Sequence, residues 1–300
     1  MTVDSLIETI RKRSTTKTLA VAYPHDPVTL AAARDACDED IARSILFGSR
    51  RIIEQTAGEN NIHLDGIEIV DIEGPEQAVN AAIAATAENR AHMLMKGDVT
   101  TRTVISAVLH AGENIISPGK LLSDVAVFHS PAYNRPMILT DPGINISPNI
   151  ERKIQIIKNA VETAHRIGIR KPKVALLAAI EKLNISHMPI TVEAELIEKM
   201  GRAGLFGDAL VEGPFALDNA VDEEAARIKH VTGKVAGNAD ILVVPDIEAG
   251  NILYKSIVLF AGIPFANVVV GARIPIVLPS RIDCEKTKLA SIAIASYLSE

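Results

Sequence analysis

The sequence predicts an α/β protein built on mainly parallel sheets, and three observations carry that prediction. First, 48% of its 300 residues are hydrophobic but only 3% are aromatic, and Trp is absent. The core must therefore be Ala, Val, Ile and Leu, which suits parallel strands covered by helices on both faces. Second, short aliphatic runs alternate with helix-like stretches along the chain, the pattern of successive βα units. Third, the length accommodates one large or two moderate domains.

Taken in order, residues 1–13 (MTVDSLIETIRKR) pattern as an amphipathic helix and lack the apolar centre of a signal peptide. Strand-length runs follow at 18–23 (TLAVAY), 44–47 (SILF), 67–72 (IEIVDI) and 92–95 (HMLM). Helical patterns lie between them at 27–39, which is Ala-rich behind a Pro, and at 74–88. The runs 125–128 (VAVF) and 137–140 (MILT) are joined by only eight residues, HSPAYNRP, which predicts an antiparallel hairpin interrupting the parallel order. A helix is expected over 147–167, with Ser147 as N-cap and Pro148 at its first position. Further runs at 174–177, 240–245, 267–270 and 274–278 alternate with helices at 191–200, 222–230 and 286–298. The apolar stretch 257–279 is broken by Gly262, Pro264, Asn267, Gly271, Arg273 and Pro275, so it reads as two buried segments and a turn, not a membrane span.

Composition also excludes partners. Thirty-one basic against 37 acidic residues give a net charge of −6, and the scarce aromatics offer no stacking platform, so a nucleic-acid binder is not expected. Cys37 and Cys284 are too few for a disulfide framework or zinc cluster, and the eight His show no HxxxH or HExxH spacing, so no metal site is expected. A cytoplasmic protein is the default reading.

In open α/β sheets ligands bind beyond the carboxyl ends of the strands. Three segments there collect chemistry. In KGDVTTRT, residues 96–103, a strand end meets a helix start, so Lys96, Gly97, Thr100, Thr101 and Arg102 are candidates to hold a phosphate. The alternative is an ordinary turn with hydroxyl caps, and neither a Walker A nor a G-x-G-x-x-G pattern occurs. In PDIEAGNILYK, residues 245–255, Asp246, Gly250 and Asn251 are candidates for ligand contact or for capping a helix. In SRIDCEKTK, residues 280–288, Ser280 and Arg281 suit a phosphate or developing oxyanion, with Asp283 and Glu285 close behind as proton acceptors. Asp141 ends another strand run.

At these segments the sequence resembles the phosphate acetyl/butyryltransferase family over nearly its whole length. The block KVAGNADILVVPDIEAGNILYK, residues 234–255, is similar to the family's PVAGxAdvlxxPdlxaGNixYK signature, and GARIPIVLPSR, residues 271–281, follows its glycine, apolar strand and Ser-Arg order. MKGDVTT, DPGINISPN, KPKVALLAA and EGPFALDNAV match as well, and the DPGINISP form with the short length resembles the butyryl branch.

The resemblance implies reversible acyl transfer between CoA and phosphate in a ternary complex, without metal or bound cofactor, with CoA as substrate. It implies two α/β domains around a cleft, similar to isocitrate and isopropylmalate dehydrogenases, in a homodimer. Residues 1–142 with 272–300 would form the first domain and 143–271 the second. Ser280 and Arg281 would line the site, and a nearby acid would serve as base for the CoA thiol. Two segments depart from the family: in the first, Thr100 stands where a His is usual and Ser106 where an Arg is usual, with Arg102 one turn earlier as a substitute; in the second, Thr287 stands where the acetyl enzymes carry an Asp seven residues after the Ser, leaving Asp283, Glu285 or water to take the proton. A phosphate acetyltransferase, or a non-catalytic protein that binds acyl-CoA or acyl phosphate, are the alternative expectations.

Overall fold

The chain opens with α1 (Val3–Arg11) and continues through β1 (Lys17–Ala22), α2 (Pro27–Asp38), β2 (Ala42–Gly48), α3 (Arg50–Glu59), β3 (Glu68–Asp71), α4 (Pro75–Ala87), β4 (Met93–Lys96) and α5 (Thr101–His110). This computed structural model describes residues 3–12, 16–280, 283 and 285–299. The strands form where aliphatic side chains are buried on both faces. Leu19, Ala20, Val21 and Ala22 of β1 are fully buried, as are Met93, Leu94 and Met95 of β4. Helix starts follow local chemistry: Pro27 occupies the first turn of α2 while the Asp26 carboxylate accepts the Thr29 amide at 2.8 Å.

A second run comprises β5 (Ser123–Ser130), β6 (Arg135–Thr140), α6 (Ile150–Arg166), β7 (Lys173–Leu177), α7 (Pro189–Arg202), β8 (Leu210–Phe215), α8 (Leu217–Val221), α9 (Glu223–Ile228), β9 (Ile241–Val243) and α10 (Ile247–Ala261). The chain then returns through β10 (Phe265–Val270), β11 (Ile276–Val277) and α11 (Glu285–Leu298).

These elements divide into two units, residues 1–120 with 264–300, and residues 121–263. In the first, the strand order is β3-β2-β1-β4-β11-β10, parallel from β3 to β11, with β10 antiparallel to β11. In the second the order is β5-β6-β9-β7-β8, with the β5–β6 hairpin antiparallel and the remaining pairs parallel. The expected hairpin is thus present. The division falls at residues 120/121 and 263/264, where the sequence reading set it at 142/143 and 271/272. Pairing explains the difference: β6 bonds to β9, which draws the hairpin into the second unit, and β10 bonds to β11 and packs against α11, which draws it into the first.

Two local expectations are corrected, and one strand was not anticipated. Helix α6 begins at Ile150, and its cap is Asn149, whose side-chain oxygen accepts the Arg152 amide at 3.0 Å, so Ser147 and Pro148 precede the helix. Strand β8 carries Gly213-Pro214 and no continuous aliphatic run, which hides it in the sequence; it lies at the end of the strand order, where a missing N–H is tolerated. Residues 257–261 are the end of α10, with Leu259 and Phe260 exposed, not a buried segment. No helix among the described residues is long and apolar enough to cross a membrane.

Helix α11 is buried on nearly every side, packed against α1, α2 and the first unit's strands. Ala290, Ile292, Ala293 and Ala295 supply the small and aliphatic surfaces that let it sit there.

Candidate active site

Strands β1 and β4 end together. The Gly97 amide donates to Ala22 O and the Asp98 amide to Tyr23 O, both at 2.8 Å, so the pairing continues past the last strand residues. A Cβ at position 97 would lie 2.3 Å from Tyr23 O, which is why glycine stands there. Lys96, only 6% exposed, folds its ammonium back to donate to Gly97 O (3.1 Å) and Val99 O (3.2 Å).

These strand ends wall a cavity of about 240 Å³. Lys96, Gly97 and Asp98 line one side, Asp26, Val28 and Thr29 at the start of α2 another, and Pro279, Ser280 and Lys288 the rest. Ser280 is held in place by a reciprocal turn: its amide donates to Asp283 Oδ2 at 2.7 Å, and the Asp283 amide donates to Ser280 O at 3.1 Å. Asp283 therefore shapes the loop that presents Ser280. Glu285 is exposed at the start of α11 and is not part of the cavity wall. Arg281 and Cys284 lie outside the described residues.

Beside the cavity, Tyr23 takes a left-handed conformation (φ 58°) and stacks on His25 at 3.7 Å between ring centroids. His25 Nε2 accepts the Ser49 amide at 3.1 Å. Burial holds the His25 pKa below its ordinary value, against the opposing pull of Asp98, Glu73 and Asp26.

The remaining candidates separate into two places. Thr100 caps α5, its hydroxyl accepting the Thr103 amide at 3.1 Å, and together with Arg102, Ser106 and His110 it lines a different groove of about 400 Å³ shared with α4. Thr101 is exposed at the first position of α5. The structure therefore does not bring Thr100, Thr101 and Arg102 to the cavity that holds Lys96 and Gly97.

In the second unit, Asp141 is 3% exposed and accepts at least four bonds. Four come from the amides of Gly143 (3.0 Å), Ile144 (2.9 Å) and Asn145 (3.2 Å), and from Asn145 Nδ2 (2.6 Å). Burial pushes its carboxyl above the usual range while these donors pull the other way. Asp246 caps α10 by accepting the Ala249 amide at 2.8 Å. Gly250 is buried where a Cβ would come within 2.9 Å of Pro142 Cα, and Asn251 Nδ2 donates to Pro142 O at 3.4 Å. Asp141 thus shapes the loop after β6, Asp246 starts α10, and Gly250 and Asn251 pack α10 against that loop at Pro142. Among the described residues no His, Cys, Asp and Glu cluster could hold a metal ion.

Sequence reasoning missed Thr29 and Lys288. Neither left a signal: Lys288 closes the charged stretch Glu285-Lys286-Thr287-Lys288, and Thr29 lies in an ordinary first helical turn.

The comparisons with known proteins agree along the chain. A family model described as phosphate acetyl/butaryl transferase matches residues 1–82 and 76–296. A phosphate butyryltransferase of Clostridium beijerinckii is 41% identical over 288 residues, covering 96% of this chain and 95% of that protein. A phosphate acetyltransferase of Thermotoga maritima is 39% identical over 299 residues, covering both chains fully. The crystal structure of a branched-chain phosphotransacylase from Enterococcus faecalis superposes with a TM-score of 0.84 at 32% identity, covering 95% of this chain and 99% of that one.

Proposed function

Because the chain belongs to the phosphate acetyl/butaryl transferase family, we propose that it transfers a short acyl group, butyryl or a similar chain, reversibly between CoA and phosphate. The observation that supports the placing of the chemistry is the cavity where Lys96, Gly97 and Ser280 converge at parallel strand ends. In the direction of acyl-CoA, the CoA thiolate attacks the carbonyl of the acyl phosphate. Charge grows on the carbonyl oxygen, and phosphate departs with the bonding pair. In the other direction a phosphate oxygen attacks the thioester carbonyl and the thiolate leaves. Holding both substrates together supplies much of the acceleration by proximity. The Ser280 hydroxyl and, from its place in the sequence, Arg281 stabilise the developing charge, a contribution of about 3–4 kcal/mol per donor.

The proton of the thiol needs an acceptor. Asp283 is engaged by the Ser280 amide and Glu285 is not part of the wall. Of the two carboxylates on the wall, Asp26 caps α2. We assign the acceptor role to Asp98, whose place directly after β4 puts it on the cavity wall with Lys96 and Ser280. No metal or bound cofactor takes part in this scheme, and CoA is a substrate. The enzyme works where CoA and phosphate are pooled, in the cytoplasm.

We also read the protein as a homodimer. Of the 15 residues of α10 only Gly250 and Tyr254 are buried, and Ile252, Leu259 and Phe260 are 67%, 64% and 89% exposed. An apolar helix with its face uncovered calls for a partner, and a second copy of the same face satisfies it.

Phosphate-dependent release of the thiol from acetyl-, propionyl-, butyryl- and isobutyryl-CoA tests the function. The expected profile peaks at four carbons or a branched chain. A peak at acetyl-CoA assigns the phosphate acetyltransferase activity instead, and acyl-CoA binding without turnover across the series overturns the enzymatic reading.

A further inference from the structure

We propose that the cavity between the start of α2, the end of β4 and α11 binds the phosphate that accepts or releases the acyl group, with the Lys288 ammonium and the Thr29 and Ser280 hydroxyls as its donors. The proposal deepens the acyl transfer reading above and rests on it.

Three lysines are buried among the described residues, and two are satisfied. Lys96 donates to two carbonyls, and Lys153 pairs with Glu193 at 2.6 Å. Lys288 is 3% exposed, lies on the cavity wall, and its ammonium has no hydrogen-bond or ion-pair partner among the described residues. The stem of Lys288 is buried, and its ammonium is not among the fully enclosed polar atoms, so the charge opens on the cavity. The residue stands in the first turn of α11, where Glu285 and Lys286 are exposed while Lys288 is turned inward to the cavity. An anion entering the cavity meets that charge, and the charge-assisted bond it forms is a strong one.

The neighbouring donors fit a tetrahedral oxyanion. Thr29 is 3% exposed; its amide goes to Asp26, while its hydroxyl has no partner among the described residues. Ser280 likewise uses its amide on Asp283 and leaves its hydroxyl to the cavity. The helix end adds little by itself, because Pro27 lacks an N–H and Asp26 takes the Thr29 amide, so Lys288 is the main source of positive charge. Asp26 shares the wall and favours a phosphate that still carries a proton, whose hydrogen bond it can accept. A volume of about 240 Å³ is below that of pockets enclosing whole drug-sized ligands, about 300–1,000 Å³, so it receives one end of a substrate.

The test uses the full chain with Lys288→Gln, Lys288→Arg and Thr29→Val. Inorganic phosphate is titrated calorimetrically into each protein, and the KM values for phosphate and for acyl-CoA are measured separately. The expected result is a phosphate KM raised at least tenfold in K288Q and about threefold in T29V, partial recovery in K288R, and an acyl-CoA KM within twofold of the parent. K288Q should melt within a few degrees of the parent, because the Lys288 ammonium makes no bond among the described residues. An unchanged phosphate KM in K288Q and T29V overturns the proposal. So does a raised acyl-CoA KM with phosphate unaffected, which assigns the charge to the phosphates of CoA. If K288Q melts far below the parent, T29V decides alone: an unchanged phosphate KM overturns the site and a raised one supports it. A parent protein that binds phosphate in a Lys288-dependent way but turns over no acyl-CoA overturns the proposed function and leaves the oxyanion site standing.

Discussion

Ser280 lines the cavity while its own amide is engaged by Asp283, so the side chain is available for substrate and the backbone fixes where it stands. Ser280→Ala keeps that backbone bond and should fold normally, with kcat lower by about 10²-fold for loss of one donor to a developing oxyanion. A kcat within twofold of the parent would remove Ser280 from the chemistry. The carboxylates separate in the same way. Asp98→Asn should lower kcat by about 10²-fold or more with both KM values nearly unchanged, and Glu285→Gln should leave kcat intact. The reverse outcome returns the proton to the acid suggested by its nearness to Ser280 in sequence. Lys96, Gly97 and Ser280 were legible in the sequence because polar residues directly after an aliphatic run must sit at a strand end. Thr29 and Lys288 were not, because which helical side chain meets a cavity depends on how the helix is turned against the sheet.

Helix α5 shows how one element divides a motif. Residues 96–103 read as a single phosphate-binding turn, but the chain passes from the β4 end into α5 within it. Lys96 and Gly97 stay on the cavity wall, while Thr100 and Arg102 line the groove beside α4. Arg102→Ala should therefore leave the phosphate KM within about twofold, as steady-state kinetics at saturating acyl-CoA would show. A tenfold rise would restore Arg102 as the substitute for the family's arginine. Other elements were readable to differing degrees. Strands β1, β2 and β4 announce themselves as aliphatic runs. Strand β8 does not, because Gly213 and Pro214 interrupt it and only its alternation of buried Val211, Gly213 and Phe215 marks it as a strand. At α6 two capping residues compete, and the bond from the Arg152 amide selects Asn149.

Two predictions belong to the whole molecule. His25 and His92 each accept a backbone amide, from Ser49 and Thr18, both at 3.1 Å, and burial holds both below the ordinary histidine value of 6.5. The unfolded chain therefore takes up protons first as the pH falls. Their contribution is fully present above about pH 6.5 and is lost progressively below it. Thermal melts from pH 7.5 to 5.5 should show Tm falling, with a shallower fall in the His25→Gln, His92→Gln double variant. Equal slopes would show that neither histidine is held neutral by the fold. The second prediction concerns assembly. Phe260→Asp at the exposed end of α10 should convert a dimer to a monomer in light scattering coupled to size exclusion. A protein that is monomeric before substitution overturns the homodimer reading.

By itself the sequence determined the α/β class, most of the strands, the antiparallel hairpin and the family, because buried parallel strands must be aliphatic and the ligand-facing turns must carry Gly, Ser, Lys and Asp. Tertiary structure decided the rest. It drew the hairpin to the second unit through the β6–β9 pairing. It also set Asp141 to shape the loop after β6, Asp246 to cap α10, and Gly250 and Asn251 to pack α10 against Pro142. Lys288 owes its place beside Ser280 to the tertiary structure as well, since contacts between residues distant in sequence depend on how buried helices pack, which a local pattern does not encode.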